Sequence, residues 1–187
     1  MKERLKEALS GRKKLHIRDA GRKSSAVLLP LYIKDGEYHL LFIQRTNRVR
    51  DHKGQISFPG GAYEEGDNTF QKTALRETSE EVGVDEKDVE VLGELDDIIT
   101  IGSSYIISPF VGTIPWPYDI RVDRWETEEI IEVPLAALLD SANVREETDI
   151  LDSRIVPAYF YHYEGKVIWG ATARILHQFL GIVDSIR

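Results

Sequence analysis

The chain has 187 residues, of which 42% are hydrophobic and 30% charged, with a formal net charge of −8 and no cysteine. That length suits one domain with a substantial core, and the composition excludes wholesale disorder. The acidic balance argues against non-specific nucleic-acid binding, and the lack of thiols excludes disulfides, a thiolate nucleophile and Cys-based zinc, so any metal must be held by oxygen or imidazole.

The opening MKERLKEALSGRKK has no apolar core of a secretory signal, and no later run is long enough to span a bilayer, so a cytoplasmic protein without a membrane partner is expected. Leu5, Ala8 and Leu9 fall at helical spacing before Gly11, which predicts a short amphipathic helix. The basic stretch that follows, RKKLHIRDAGRK, suits either a solvated connector or a segment that sits over an anionic ligand or a partner's acidic surface. We take residues 1–24 as helix plus basic arm and residues 25–187 as the main domain.

Residues 25–45 form two β-rich runs joined by Lys34-Asp35-Gly36-Glu37, a strong hairpin signal. Gln55 to Phe58 reads as a short strand that Pro59-Gly60-Gly61 ends, because no ladder is expected to continue through that tripeptide. Asp67 or Asn68 can cap a helix running through Ala74, Leu75 and Glu81 until Gly83 stops it. Strand patterns recur at Val89 to Leu95, Tyr105 to Ile114, Glu129 to Val133 and Arg154 to Trp169, with a hairpin turn over 163–166. A terminal helix is predicted over Ala171 to Ile186, with Ile175, Phe179 and Ile182 on its apolar side. There is no internal repeat and no linker. Strands dominate, so the class is α+β: a mixed β-sheet sandwiched between helices.

Chemistry concentrates in Arg76-Glu77-Thr78-Ser79-Glu80-Glu81. A helix turns about 100° per residue, so Glu77, Glu80 and Glu81 share a face. Three ionised carboxylates in one turn repel one another, and a hard divalent cation such as Mg²⁺ or Mn²⁺ would relieve that repulsion. Arg76 can hold one of them by a bidentate contact. A solvated acidic face would look the same; the glycines of Phe58-Pro59-Gly60-Gly61, which bring backbone carbonyls to the helix start, favour the metal site. Upstream, Arg45, Arg48, Arg50, His52 and Lys53 concentrate positive charge that would steer an anionic substrate.

Gly61, five residues, Asp67, then Arg76-Glu77-Thr78-Ser79-Glu80-Glu81-Val82-Gly83-Val84 resembles the Nudix box. The chain departs from the general box in having Asp67 for Glu, one extra residue before Arg76, and Thr78 for an aliphatic. Arg45-Thr46-Asn47-Arg48-Val49-Arg50 followed by Gly54-Gln55-Ile56-Ser57-Phe58-Pro59-Gly60-Gly61 is similar to the motif of one branch, the coenzyme A pyrophosphatases. Leu40 to Ile43 matches its upstream part loosely, while Val133-Pro134-Leu135 and Ile168 to Leu176 also look like that branch.

The resemblance implies metal-assisted attack of water on a pyrophosphate, giving 3′,5′-ADP and 4′-phosphopantetheine from coenzyme A. It implies Glu77, Glu80 and Glu81 as metal ligands, with the Gly61 carbonyl as a further one, and Arg76 in support. Glu126, Glu128 and Glu129 are candidate general bases, with Glu126 preferred. Arg45, Arg50, Lys53 and Trp169 are the expected substrate contacts, Trp169 and Tyr161 having either base stacking or core packing as roles. Partners are expected to be a small nucleotide substrate and, allowably, a second copy in a homodimer. Two alternatives stay open: hydrolysis of another diphosphate such as ADP-ribose or NADH, and a non-catalytic binding module. The latter would usually lose box carboxylates, and none is lost here.

Overall fold

A computed structural model describes residues 1–48, 53–101, 103–151 and 153–187. Helix α1 (Lys2–Gly11) leads into β1 (Lys23–Lys34) and β2 (Glu37–Arg45), then β3 (Ile56–Ser57), β4 (Gly60–Ala62) and helix α2 (Phe70–Val82). Next come β5 (Glu90–Glu94), β6 (Ile98–Ile99), β7 (Tyr105–Thr113), β8 (Thr127–Pro134) and the short α3 (Leu135–Leu139). The chain finishes with β9 (Val144–Leu151), β10 (Arg154–Tyr163), β11 (Lys166–Ile168) and α4 (Gly170–Ser185).

Strands β1 to β8 make one mixed sheet in which β1 runs parallel to β7 and antiparallel to β2 and β4. The near-continuous apolar run of β1 is explained by its two covered faces. Ala26 and Leu28 pack with Ala74 of α2 and Phe110 of β7, while Leu29 and Leu31 join Leu5 and Leu9 of α1 and Phe179 of α4. Residue parity along the strand thus assigns α2 to one face and α1 and α4 to the other. Strands β9 to β11 form a second, antiparallel sheet beside α4.

The two expected hairpins are present, and both turns carry positive φ at both central residues: Asp35 and Gly36 at 51° and 83°, Glu164 and Gly165 at 48° and 77°. Gly83 ends α2 in the left-handed conformation expected of it.

Three local expectations are corrected. Pro59-Gly60-Gly61 does not end the ladder; the chain pairs again as β4, with Gly60 opposite Val27 and Gly61 opposite Ala26. Gly60 permits this by a φ of 155° and by its missing side chain, since a Cβ there would lie 2.3 Å from the Ala26 carbonyl oxygen. The cap of α2 is neither Asp67 nor Asn68 but Thr69, whose side chain accepts from the Lys72 N–H. Strand β9 and helix α3 were not anticipated: every residue from 145 to 150 is exposed, so β9 has no apolar periodicity to read.

The basic arm covers an acidic surface of its own chain. Arg12 pairs with Asp96 at 2.9 Å, and the buried Lys14 lies 2.8 Å from Glu94 and 3.1 Å from Asp97.

Candidate active site

The 3₁₀ turn Glu65–Asp67 and helix α2 are tied together through Arg76. Its Nε and Nη2 reach the two carboxylate oxygens of Asp67 at 2.8 and 3.1 Å, and Nη2 also donates to the Ala62 carbonyl. Its Nη1 stands 3.0 Å from both Glu77 Oε1 and Glu80 Oε2. The bidentate partner of Arg76 is therefore Asp67, outside the glutamate cluster, and the glutamates share the remaining arm. Asp67 is buried and also accepts from the Thr73 hydroxyl and the Glu64 N–H. The Arg76 guanidinium, helped by these two donors, holds the Asp67 carboxyl well below the usual carboxylate range against the opposing effect of burial.

The three glutamates occupy distinct environments. Glu81 is buried; its Oε2 accepts from the Gly60 N–H at 2.9 Å and its Oε1 lies 3.4 Å from Arg45 Nη1. Burial pushes its carboxyl up to about 8, opposed by Gly60 and Arg45 and reinforced by Glu77 and Glu126. Glu77 is shifted in the same direction, mainly by burial, with Arg76 opposing. Its carboxylate rests on Gly61, where a Cβ would fall 2.4 Å from the carboxylate carbon, so only glycine leaves that space free. Glu80 projects outward, its side chain 59% exposed.

Arg45, at the end of β2, sits between Glu81 and Glu126, whose carboxylate it meets at 3.6 Å. Glu126 is brought there by the segment 121–127. Arg121 and Asp123 donate their N–H groups to the carbonyls of Val82 and Glu81 at the end of α2, while Thr46 N–H donates to the Glu126 carbonyl. Of the other loop acids, Glu129 pairs with Lys166, and Glu128 is exposed on a groove facing Trp116 and Tyr118.

Lys53 is exposed, and Arg50 and His52 lie outside the described residues. Tyr161 is buried in the core and bonded to His177, so its role is packing rather than stacking on a ligand. Trp169 is 46% exposed at the start of α4, following β11, which runs beside β3.

The donor set suits a hard divalent cation: it is oxygen only, and it sets a buried carboxylate, Glu81, and a half-buried one, Glu77, on one helix face with Glu80. Among the described residues no three acidic or histidine side chains stand ready to share one ion, because Glu77 and Glu80 are turned onto Arg76. Sequence reasoning missed Asp67 as the anchor of Arg76 and Thr46 as the clasp of the 121–127 segment; the Asp67-to-Arg76 spacing was visible, but it reads equally as a helix cap.

A model of the NUDIX domain matches residues 22–145. The uncharacterized Nudix hydrolase NudL of Photorhabdus laumondii subsp. laumondii is 36% identical over 156 residues, 83% of this chain and 82% of NudL. Among solved structures, a binary complex of C. elegans Ap4A hydrolase superposes with a TM-score of 0.56 at 16% identity, covering 87% of this chain and 98% of that one. The NUDIX domain of Shewanella oneidensis NrtR, complexed with ADP ribose, superposes with a TM-score of 0.51 at 17% identity, covering 71% and 84%. The structural likenesses bear on fold alone, whereas the domain match and the 36% relative establish that the chain belongs to the Nudix hydrolase family.

Proposed function

We propose that the chain is a divalent-metal-dependent pyrophosphohydrolase of coenzyme A, forming 3′,5′-ADP and 4′-phosphopantetheine. The observation that carries the hydrolase reading is the pair of carboxylates, half-buried Glu77 and buried Glu81, packed against Gly61 and Gly60. With Glu80 and the Gly61 carbonyl, they would hold Mg²⁺ or Mn²⁺, which would supply charge neutralisation at the phosphates and activation of water. Arg76, anchored on Asp67, positions Glu77 and Glu80. Glu126 is the proposed base. It takes a proton from water as the oxygen attacks one phosphorus, the bridging P–O bond breaks, and the other phosphate leaves with its electron pair.

The coenzyme A assignment rests on the branch resemblance and on the cations Arg45, Arg50 and Lys53, which suit a substrate carrying a 3′-phosphate besides its pyrophosphate. ADP-ribose is the second reading, favoured by the ligand of the NrtR domain. A panel of coenzyme A, 3′-dephospho-coenzyme A, ADP-ribose and NADH, with products identified by mass spectrometry, tests both. Higher kcat/KM on ADP-ribose than on coenzyme A would reject the first.

A further inference from the structure

The exposed aromatic nearest the site in the chain is Trp125, one residue before Glu126, with its side chain 65% exposed. A lone exposed apolar residue needs no ligand to explain it. The surroundings of Trp125 are different, because its backbone carbonyl and N–H are both bonded and the turn that carries it is tied to α2. Its carbonyl accepts from the Thr46 hydroxyl at 2.8 Å, its N–H donates to the Asp123 carboxylate at 2.8 Å, and Asp123 N–H is bonded to the Glu81 carbonyl. The ring is thus carried on a backbone turn tied to Thr46, which follows β2, and to the end of α2.

The guanidinium of Arg48 lies over the ring, 5.8 Å from its centroid. The neighbouring Glu126 faces Arg45, which in turn faces Glu81. A large flat apolar surface, a cation over it and the candidate catalytic carboxylates are therefore linked by successive contacts, Arg48 to Trp125 and, one residue on, Glu126 to Arg45 to Glu81. That sequence of chemistries matches a ligand with an aromatic base at one end and phosphates at the other. Base-on-indole stacking tolerates any base, since each has a π face.

We propose that Trp125 is the platform on which the nucleobase of the substrate stacks, with Arg48 beside it as a phosphate contact. This rests on reading the site as a nucleotide pyrophosphohydrolase. It moves the base subsite away from Trp169, which stands at the start of α4 beyond β11. Because the backbone that carries the ring is already bonded in place, stacking a base orders the indole side chain alone.

The experiment combines tryptophan fluorescence with steady-state kinetics. Titrating the protein with AMP should quench its emission, whereas ribose 5-phosphate, which lacks the base, should not. Trp125→Phe should abolish the quench, since it removes the reporting indole, yet keep KM for the hydrolysed conjugate within about threefold because a ring remains. Trp125→Ala should raise KM about tenfold and leave kcat within about twofold, a split that a structural defect would not produce. Quenching that persists in Trp125→Phe, or a Trp125→Ala variant with unchanged KM, would overturn the proposal. If AMP quenches through Trp125 but no conjugate is hydrolysed, the platform stands and the hydrolytic reading falls; if conjugates are hydrolysed and AMP leaves the emission unchanged, the platform alone falls.

Discussion

Arg76 and Asp67, nine positions apart, face each other through two parallel hydrogen bonds of 2.8 and 3.1 Å, with the aspartate buried at the end of a 3₁₀ turn. This fork fixes the guanidinium that in turn holds Glu77 and Glu80, so the box helix and the loop before it are coupled through one side chain. Asp67→Asn would leave a half-buried cation with a weaker partner and should lower stability by about 3 kcal/mol, as breaking one member of a buried pair does. The pH dependence has a definite sign. The folded carboxyl of Asp67 is depressed, so its contribution is present above the ordinary aspartate range and lost as pH falls below it. Thermal melts of wild type and variant should therefore differ most near neutral pH and converge on the acid side.

Gly60 and Gly61 are neighbours with different obligations. An alanine Cβ at 60 would meet the Ala26 backbone at 2.3 Å, while the nearest atoms to one at 61 belong to the Glu77 carboxylate, which can move. Gly60→Ala should be destabilising by about 3 kcal/mol or more, combining overpacking with an unfavourable φ. Gly61→Ala should melt close to wild type but lose most of its activity, because Glu77 is displaced. Equal loss of melting temperature in both variants would refute the distinction.

The glutamates should not be equivalent. Glu77→Gln and Glu81→Gln each remove a proposed metal ligand held inside the site and should reduce kcat by about a hundredfold or more, whereas Glu80→Gln, on an exposed side chain, should have the smaller effect. Folded state is checked by circular dichroism. Exhaustive chelation should abolish turnover and added Mg²⁺ or Mn²⁺ restore it.

The arm ahead of β1 contributes through Lys14, whose ammonium is buried between Glu94 and Asp97. Lys14→Met would keep the aliphatic contact and strand the Asp97 carboxylate, which Ser108 and the Ile17 N–H still bond. The expected loss is about 3 kcal/mol, read from urea unfolding. A variant as stable as wild type would show that those two donors suffice.

Local signals dictated much of this protein. Asp35-Gly36 and Glu164-Gly165 set their own turns through backbone φ, and Gly83 stops α2 for the same reason. The spacing of Glu77, Glu80 and Glu81 likewise placed them on adjacent turns of one helix whatever surrounds it. What each glutamate does was decided by tertiary packing. Burial against Gly60 and Gly61 raises Glu81 and Glu77, exposure leaves Glu80 outside, and Arg76 takes Asp67 as its principal partner only because the 3₁₀ turn brings that carboxylate beneath the helix. The same holds for β9, whose exposed, acidic sequence becomes a strand by pairing with β10, and for Trp125, whose turn is tied to Thr46 and the end of α2 and whose ring lies under Arg48. Turn geometry and helical phase are properties of a few consecutive residues, legible in their order; desolvation and charge pairing depend on which distant segments close over a side chain, and only the folded chain determines that.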